Sequence, residues 1–253
     1  MQINLVTRVV TCWALIWQVF MVTQLAHSQA PKNTFSDRSE GETLWYGELD
    51  AGPRLFRFLF KVGANETGKP TAKLLSMDEG DIEFTLDEVS ISELKFSFQL
   101  NATKASYSGT MNAGKDSIDG QWTQKGATFP LKLRKVSSPP RDQAQEIWLG
   151  SMQAGLQKLV MQFRIYADAS GNLTAFVDSV SQKAGGFKAD VKIEGSQFTL
   201  HAASLKSHFV GEKDAGGKEL NGKWTQGIAI DLKMKRVEIP VDAKSVIDRK
   251  SVV

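Results

Sequence analysis

The sequence has few of the residues that normally mark a disulfide framework, a metal site or a catalytic centre. It contains one cysteine and three histidines in 253 residues. A single cysteine excludes an intrachain disulfide framework and a multi-cysteine zinc site. The net charge is only +3, from 31 Lys and Arg against 28 Asp and Glu. Because nucleic-acid binding faces are usually strongly basic, we predict no nucleic-acid partner, and we predict no metal and no cofactor.

Residues 1–30 have the features of a signal peptide. Arg8 precedes an apolar run over residues 9–25, and Ser28-Gln29-Ala30 fits the small-x-small pattern of a cleavage site. The alternative is an uncleaved anchor, but the run contains two glutamines and is shorter than the ~20 apolar residues that span a bilayer. We therefore predict export to the periplasm or the extracellular space. Cleavage would also remove Cys12, and membrane contact is expected only if this segment is retained.

The rest of the chain is an internal repeat. The segment Leu44–Gly47 (LWYG) returns as Ile147–Gly150 (IWLG) at an offset of 103 residues. A second shared segment, ending in Gly-x-Trp-Thr-Gln, returns at an offset of 102, and the closing Leu-Lys-x-x-x-Val segment returns at 101. The falling offset indicates two short deletions in the second copy. The chain is therefore predicted to hold two related domains, each of a size that folds independently.

These segments define the predicted organisation. The repeat-defining core residues are Trp45, Gly47, Trp122, Trp148, Gly150 and Trp224. The predicted boundaries are a signal peptide at 1–30, a flexible N-terminal segment at 31–42, β domains at 43–137 and 146–238, a Pro-containing linker at 138–145, and a C-terminal tail at 239–253. We expect the four tryptophans to fill the cores, and the glycine two residues after Trp45 and Trp148 to make room for a large neighbouring ring.

Apolar and polar residues alternate with a period of two in both copies, which predicts antiparallel strands. In the first copy Phe56, Phe58 and Phe60 share one face, and in the second copy Leu159, Met161 and Phe163 do the same. The intervening polar residues are expected on a solvated face; they are Arg57, Lys61, Gln162 and Arg164. We predict an all-β protein with two tandem antiparallel domains of about eight short strands each. An up-and-down, lipocalin-like barrel is favoured over a sandwich, and a barrel filled by side chains over one with a cavity.

Two groups of polar residues are candidates for a functional site. His201 and His208 are seven residues apart, which places them on opposite faces of a continuous strand. The sequence Asp78-Glu79-Gly80-Asp81 lacks the ligand spacing of a calcium loop, and the separation of paired glycosidase carboxylates cannot be read from a sequence. We interpret the histidines as solvated strand residues and the acidic group as a polar turn. No catalytic residue is assigned, and the ligand-binding residues are unknown.

The glycine and tryptophan pattern resembles a small β-rich module found ahead of the catalytic domain in exported bacterial α/β-hydrolases of the serine-peptidase and esterase type. The matching positions in the first copy are Trp45, Gly47, Gly68–Gly80, Tyr107, Gly109, Asn112, Gly120–Gln124 and Pro130–Leu133. The second copy keeps Trp148, Gly150, Asp178, Ser179, Gly211, Gly222 and Trp224–Gln226, but has Phe209 in place of Tyr107. The resemblance implies an accessory role beside an enzyme.

The hydrolase domain itself is not in this sequence, because no G-x-S-x-G elbow occurs. The leading interpretation is an exported, non-catalytic binding or accessory protein that takes a small apolar ligand or an envelope partner. The alternatives are an accessory module of an exported hydrolase, encoded separately, or a hydrolase in its own right.

Overall fold

A computed structural model describes residues 41–80 and 82–237. The predicted signal peptide at 1–30 with Cys12, nearly all of the N-terminal segment at 31–42, and the C-terminal tail at 239–253 lie outside the described residues. The described part is all-β. Its strands form one sheet of nine antiparallel strands and one closed barrel of eight, so the predicted fold class is confirmed.

The first sheet, called barrel 1 below, has the spatial order β4-β3-β2-β1-β9-β8-β7-β6-β5. Its strands are β1 (Thr43–Asp50), β2 (Leu55–Ala64), β3 (Pro70–Ser76), β4 (Ile82–Thr85), β5 (Asp87–Ser92), β6 (Lys95–Leu100), β7 (Ala105–Met111), β8 (Ser117–Gln124) and β9 (Ala127–Val136). The two edge strands, β4 and β5, are consecutive in the chain and are separated only by Leu86. One interrupted strand therefore joins the two edges of the sheet.

The second sheet, barrel 2, closes completely because its first strand pairs with its last. Its strands are β10 (Glu146–Ala154), β11 (Gln157–Ala167), β12 (Leu173–Ser179), β13 (Ala184–Glu194), β14 (Gln197–Ala202), β15 (Ser207–Lys213), β16 (Glu219–Gln226) and β17 (Ile228–Val237). Strand β13 pairs with β12 through its first half and with β14 through its second half, so it does alone what β4 and β5 do together in barrel 1.

The strand pairings explain the falling repeat offset. Asp87 and Asp190 are equivalent, but the register of barrel 1 then shifts at Glu88, a bulge residue with φ of 47°. One residue on a strand that has no counterpart opposite it is what a β-bulge contains. The second extra residue is Lys125, because the β8–β9 turn has two residues where the β16–β17 turn has only Gly227. The two predicted deletions therefore fall in a bulge and a turn.

Both barrels are filled by their own side chains. In barrel 1 the ring of Phe58 lies 5.3 Å from that of Trp122, and Phe60 lies 5.6 Å from Phe98, so ring contacts connect strands from different parts of the sheet. In barrel 2 Phe163 contacts Trp224 at 5.8 Å and Phe209 at 5.5 Å. The same alternation that makes the strands therefore supplies an aromatic core.

Glycines at two matched positions make room for one large ring in each barrel. In barrel 1 the ring of Tyr107 lies where a Cβ at Gly120 would be, 2.4 Å away. In barrel 2 Phe209 takes the same position against Gly222, at 2.7 Å. Tyr107 also donates a hydrogen bond from its hydroxyl to the Leu131 carbonyl at 3.1 Å.

Gly47 and Gly150 make room for something other than the predicted ring. A Cβ on Gly47 would lie 2.6 Å from the Leu133 side chain, and one on Gly150 would lie 2.3 Å from the Lys233 carbonyl oxygen. The expectation of a neighbouring aromatic ring was wrong, because these glycines lie against the last strand of each barrel where the sheet closes. Trp45, Trp122, Trp148 and Trp224 are all buried in the cores.

Candidate functional site

The two barrels meet where the β1–β2 hairpin of barrel 1 lies on strand β13 of barrel 2. The Lys188 amide donates to the Pro53 carbonyl at 3.0 Å. Arg54 donates from its guanidinium to the Gly185 carbonyl at 2.7 and 2.9 Å, and its guanidinium lies 4.6 Å from the centre of the Phe187 ring. We call this contact the hairpin dock. It combines main-chain pairing with a cation–π contact.

Gly186 allows this close approach. Its φ is +75°, and a Cβ there would lie 2.0 Å from the Leu55 carbonyl oxygen. Backbone from the two barrels therefore meets at a position where no side chain fits. Beside it, Lys188 pairs with Asp50 at 2.6 Å on the exposed rim.

Beneath the hairpin dock lies a buried group of charged and polar side chains, which we call the interdomain cluster. Its members are Arg57, Asp78, Asp142, Arg164, Tyr166 and Asp178. Arg57 pairs with Asp78 within barrel 1 at 2.6 Å, and Arg164 pairs with Asp178 within barrel 2 at 2.8 Å. Arg164 also reaches Asp78 at 3.0 Å, so an ion pair connects the two barrels directly.

Asp142, from the linker, joins the two arginines. Its Oδ2 atom accepts from Arg57 at 2.6 Å and from Arg164 at 3.1 Å, while Oδ1 accepts from the Tyr166 hydroxyl at 2.7 Å. Burial raises the pKa of Asp142, but Arg164, the Tyr166 hydroxyl and Arg57 together outweigh burial and leave its pKa below the ordinary value. The carboxylate form is therefore the one the cluster stabilises.

Arg164 and Asp178 form the buried ion pair that barrel 2 supplies to the cluster. Burial alone would raise the pKa of Asp178, yet its net pKa is lowered by the Arg164 charge and by hydrogen bonds from Arg164, Gln162 and the Gly186 amide. Burial likewise works to lower the pKa of Arg164, but the charges of Asp178 and Asp78 raise it well above the ordinary value. Both groups are therefore held in their charged forms, and the Arg164 guanidinium donates hydrogen bonds to both oxygens of the Asp178 carboxylate.

Glu79, next to Asp78 in the chain, behaves differently. Burial raises the pKa of its carboxyl group and outweighs the opposing effects of Arg54 and of the Ser76 hydroxyl, which donates to it at 2.8 Å. Arg54 is 3.7 Å away. For Glu79, therefore, burial disfavours the charged form of the carboxyl group.

The two repeats contribute to the interdomain cluster from positions that are not equivalent. The paired core residues Phe60–Leu74 and Phe163–Val177 fix the local correspondence. By this correspondence Arg57 matches Val160 and Asp78 matches Ser181. The local geometry is shared, since the Arg57 amide donates to Asp78 at 2.7 Å just as the Val160 amide donates to Ser181 at 3.0 Å. Repeat 1 therefore uses a charged pair at a position where repeat 2 uses a neutral one.

A separate feature, on the outer wall of barrel 1, is a shallow depression of about 480 Å³. It lies across strands β6 to β9 and is lined by Lys95, Ser108, Thr110, Asp119, Gln121 and Lys132, among others. Lys132 and Asp119 form an exposed ion pair there at 3.1 Å. Hydroxyl, amide and charged groups share this lining with Gly109, Gly120, Pro130 and Leu131.

The predicted histidine geometry is wrong. The segment from His201 to His208 is not one continuous strand, because a turn of 3₁₀ helix at Ala203–Leu205 reverses the chain. His201 and His208 therefore pair directly across β14 and β15, and both are exposed on the outer wall. Within residues 41–80 and 82–237, no three His, Cys, Asp or Glu side chains are grouped to hold a metal ion.

The prediction of a solvated polar face also fails next to the interface. Arg57, Lys61, Gln162 and Arg164 alternate with core residues as predicted, but barrel-to-barrel packing leaves Arg164 only 3% and Arg57 only 16% exposed. The acidic group is not a purely solvated turn either: Met77–Glu79 forms one turn of 3₁₀ helix, and Asp78 is buried in the interdomain cluster. Asp81 lies outside the described residues.

One sequence signal pointed to this buried outer face. Leu44, Trp45 and Tyr46 are consecutive apolar residues, so at least one must lie on the outer face of the strand. In the structure Leu44 and Tyr46 form a small outer cluster with Leu59, separate from the barrel core. Apolar residues on the outward phase of a strand indicate that another element covers it.

The fold and the interface define the class: a tandem pair of antiparallel β-barrels joined by a hairpin dock and a buried ionic cluster. In the described part of the chain, no helix has the length and apolar character needed to cross a membrane. No protein-family model and no curated protein matches the chain.

Three solved structures show distant similarity. A Bacteroides fragilis protein, provisionally described as an outer membrane protein, has 10% identity and a TM-score of 0.27, over 79% of this chain and 97% of that one. A Nostoc punctiforme protein of unknown function from the DUF3598 family has 9% identity and a TM-score of 0.25, over 79% and 96%. A Nitrosomonas europaea protein, provisionally described as AttH, has 8% identity and a TM-score of 0.23, over 86% and 100%.

Proposed function

We propose that this chain is an exported, non-catalytic accessory protein that binds a partner of the cell envelope on its outer surface. The observation that carries the proposal is that the interiors of both barrels are occupied by their own aromatic side chains. Eight-stranded barrels have interiors that are either filled or hold one small ligand. A filled interior favours binding on the outer walls over a small apolar ligand inside a barrel, and the latter stays a prediction for native mass spectrometry to test.

The interdomain cluster supports a scaffold role rather than a chemical one. Each of its carboxylates accepts hydrogen bonds from at least one arginine of the cluster. A catalytic acid or base needs a proton it can exchange with a substrate. Here all three carboxylates are occupied by arginine, and the lowered pKa values of Asp142 and Asp178 keep those two charged, which suits fixing the two barrels in one arrangement.

The depression on barrel 1 is the binding surface we propose. Ser108 lies in it, and the equivalent position in barrel 2 is Val210, which is half exposed. The two positions therefore make a matched pair for photocrosslinking. With a photoreactive residue at either position, we expect a discrete crosslink to one envelope partner from position 108 and none from position 210.

Two results would contradict this proposal. Native mass spectrometry of the exported protein would show a stoichiometric lipid or other small molecule if the barrels were carriers. Turnover of ester or glycoside substrates by purified protein, lost on changing a single side chain, would identify an enzyme.

A second candidate is an accessory module of a separately encoded exported hydrolase, which is favoured by the glycine and tryptophan pattern of both repeats. Under this proposal the partner crosslinked from position 108 is a hydrolase, and its activity changes when this protein is added. A crosslinked partner without hydrolase activity would favour the more general accessory role.

A further inference from the structure

We infer that the end of barrel 2 that carries the β10–β11 hairpin docks on the surface of an anionic lipid bilayer. The feature that carries this inference is the β10–β11 hairpin, which ends in Gly155 and Leu156. Leu156 has a relative exposure of 103%, so nothing within residues 41–80 and 82–237 covers its side chain. The equivalent residue in barrel 1 is Pro53, which lies in the hairpin dock against barrel 2.

The hairpin of barrel 2 lacks what the hairpin dock requires. In place of Arg54, which contacts Gly185 and Phe187, it has Gln157. A second copy of the chain does not offer a matching surface on barrel 1 either. The residues equivalent to Gly185 and Gly186 are Ile82 and Glu83, whereas a Cβ at Gly186 would already lie 2.0 Å from the docked backbone.

Three lysines lie at the same end of barrel 2 as the exposed leucine. In an up-and-down barrel alternate turns lie at the same end, so the turns after β10, β12, β14 and β16 share one end. Lys158, Lys183 and Lys206 lie in or next to these turns, and all three are exposed. Residues 154–158, 180–184, 202–207 and 226–229 contain no Asp or Glu.

The opposite end of barrel 2 has a mixed character. It carries the exposed carboxylates Asp168, Glu194, Asp214 and Glu219 together with the exposed lysines Lys192 and Lys218. The two ends of the barrel therefore differ, since only the end with Leu156 has lysines without carboxylates in its turns. An exposed aliphatic tip at an end with uncompensated lysines fits a surface that is anionic outside and apolar beneath, which is the character of an anionic bilayer.

The two contributions are each weak and act together. A single leucine side chain buries less apolar surface than a myristoyl chain, which by itself gives only marginal membrane binding, so the leucine alone is insufficient. Lysines near an anionic surface add an attraction that salt screens. We therefore expect reversible, salt-sensitive binding in which Leu156 enters the interface. This contact is additional to any made by residues 1–30 and does not depend on the proposed partner site on barrel 1.

The test uses a site-specific probe, because residues 1–30 could hold the whole protein on a membrane. In a Cys12→Ala background, Leu156→Cys is labelled with an environment-sensitive fluorophore, and Val210→Cys serves as the control on the barrel wall. We expect a blue shift and quenching by lipid-borne quenchers for the label at 156 with phosphatidylglycerol-rich vesicles. We expect neither for the label at 210, nor for either label with phosphatidylcholine vesicles.

Charge variants test whether the three lysines at this end contribute to vesicle binding. Changing Lys158, Lys183 and Lys206 together to Gln should raise the lipid concentration needed for half of the shift by roughly a hundredfold. The matched control changes Lys192, Lys218 and Lys235, which are exposed elsewhere on barrel 2, and should have little effect. No shift at 156 with anionic vesicles, or equal losses from both triple variants, would overturn the inference. A shift at 156 that depends on protein concentration without vesicles would also overturn it, by assigning the leucine to self-association.

Discussion

The β1–β2 and β10–β11 hairpins have the same length and equivalent strand pairings, but their surroundings are opposite. The first lies against β13, where Arg54 reaches the Gly185 carbonyl. The second ends in Leu156, which no other described residue covers. Two copies of one fold have thus diverged on their outer surfaces while keeping the same aromatic core. Between these two copies, the residues that fill the barrel are kept and the residues that join it to a neighbour differ.

The same contrast holds at the interdomain cluster. Arg164 of repeat 2 corresponds to Lys61 of repeat 1, yet only Arg164 reaches carboxylates of both barrels. Lys61 has Glu42 at 3.9 Å, and that carboxylate is a quarter exposed. An arginine can bond several carboxylates at once through its planar fork, which a lysine cannot do in the same geometry.

We expect the largest loss of stability from removing the Arg164 guanidinium, which has no counterpart in the contacts of Lys61. Arg164→Met leaves buried carboxylates without their main partner, and should lower the free energy of unfolding by about 3–5 kcal/mol. Lys61→Met is the matched control in barrel 1 and should cost about 1 kcal/mol or less, because Glu42 remains partly solvated. Urea unfolding measures both. Equal costs would mean that the two equivalent positions carry similar weight.

Gly186→Ala should break the hairpin dock by introducing a side chain where two backbones meet. The left-handed backbone contributes about 1–2 kcal/mol of destabilisation, and the overlap with Leu55 adds about 1–3 kcal/mol. Gly195→Ala has a φ of +60° but open space around its Cβ, so it should show the backbone contribution alone. Thermal unfolding compares them, and identical losses would show that Leu55 moves aside freely.

Acid should weaken the interface. Asp142 and Asp178 have lowered pKa values in the folded protein, so their stabilisation is complete above the ordinary carboxyl pKa near 3.8 and is lost as the pH falls through their lower folded values. Glu79 acts in the opposite direction, because its raised pKa makes its protonation favour the folded state. We expect the urea concentration at the midpoint of unfolding to decrease once the pH is lowered below about 4. Asp178→Asn should reduce that dependence, and an unchanged profile would show that the exposed carboxylates dominate.

Tyr107→Phe makes the core of barrel 1 resemble that of barrel 2, where Phe209 occupies the equivalent position. It removes the buried hydrogen bond to the Leu131 carbonyl and should cost about 0.5–1.5 kcal/mol in urea unfolding. The reciprocal change, Phe209→Tyr, tests whether barrel 2 has kept an acceptor at this place. A Tyr107→Phe variant as stable as the parent would mean that the hydroxyl contributes nothing measurable.

Deleting Lys125 should have the smallest effect. The deletion converts the two-residue β8–β9 turn into the single-glycine turn that barrel 2 already uses between Gln226 and Ile228. Since the turn is exposed, we expect a change within about 0.5 kcal/mol in thermal unfolding. A large loss of stability would show that the two turns are not interchangeable, because the β8–β9 pair would need a different register from the β16–β17 pair.

Much of each barrel could be predicted because its information is local. Period-two alternation around Phe58 and Phe163 specifies the strands, and the repeated tryptophans specify which face is the core. The candidate site could not be predicted in this way. Alternation assigns Arg57 and Arg164 to the outward face, but it does not show that another barrel covers that face. His201 and His208 were misplaced for a related reason, since a short 3₁₀ turn without glycine or proline reverses the strand between them.

From the residues alone came the all-β fold, the two copies, the tryptophan cores and the existence of two short deletions in the second copy. These follow from periodicity and from self-similarity, which require only neighbours along the chain. The packing of the two barrels brings Asp78, Asp142, Arg164 and Asp178 together, and it covers Pro53 while leaving Leu156 exposed among the described residues. The physical reason is that a buried charge needs partners within hydrogen-bond distance. Those partners come from three separate segments that only the packing of two barrels brings together.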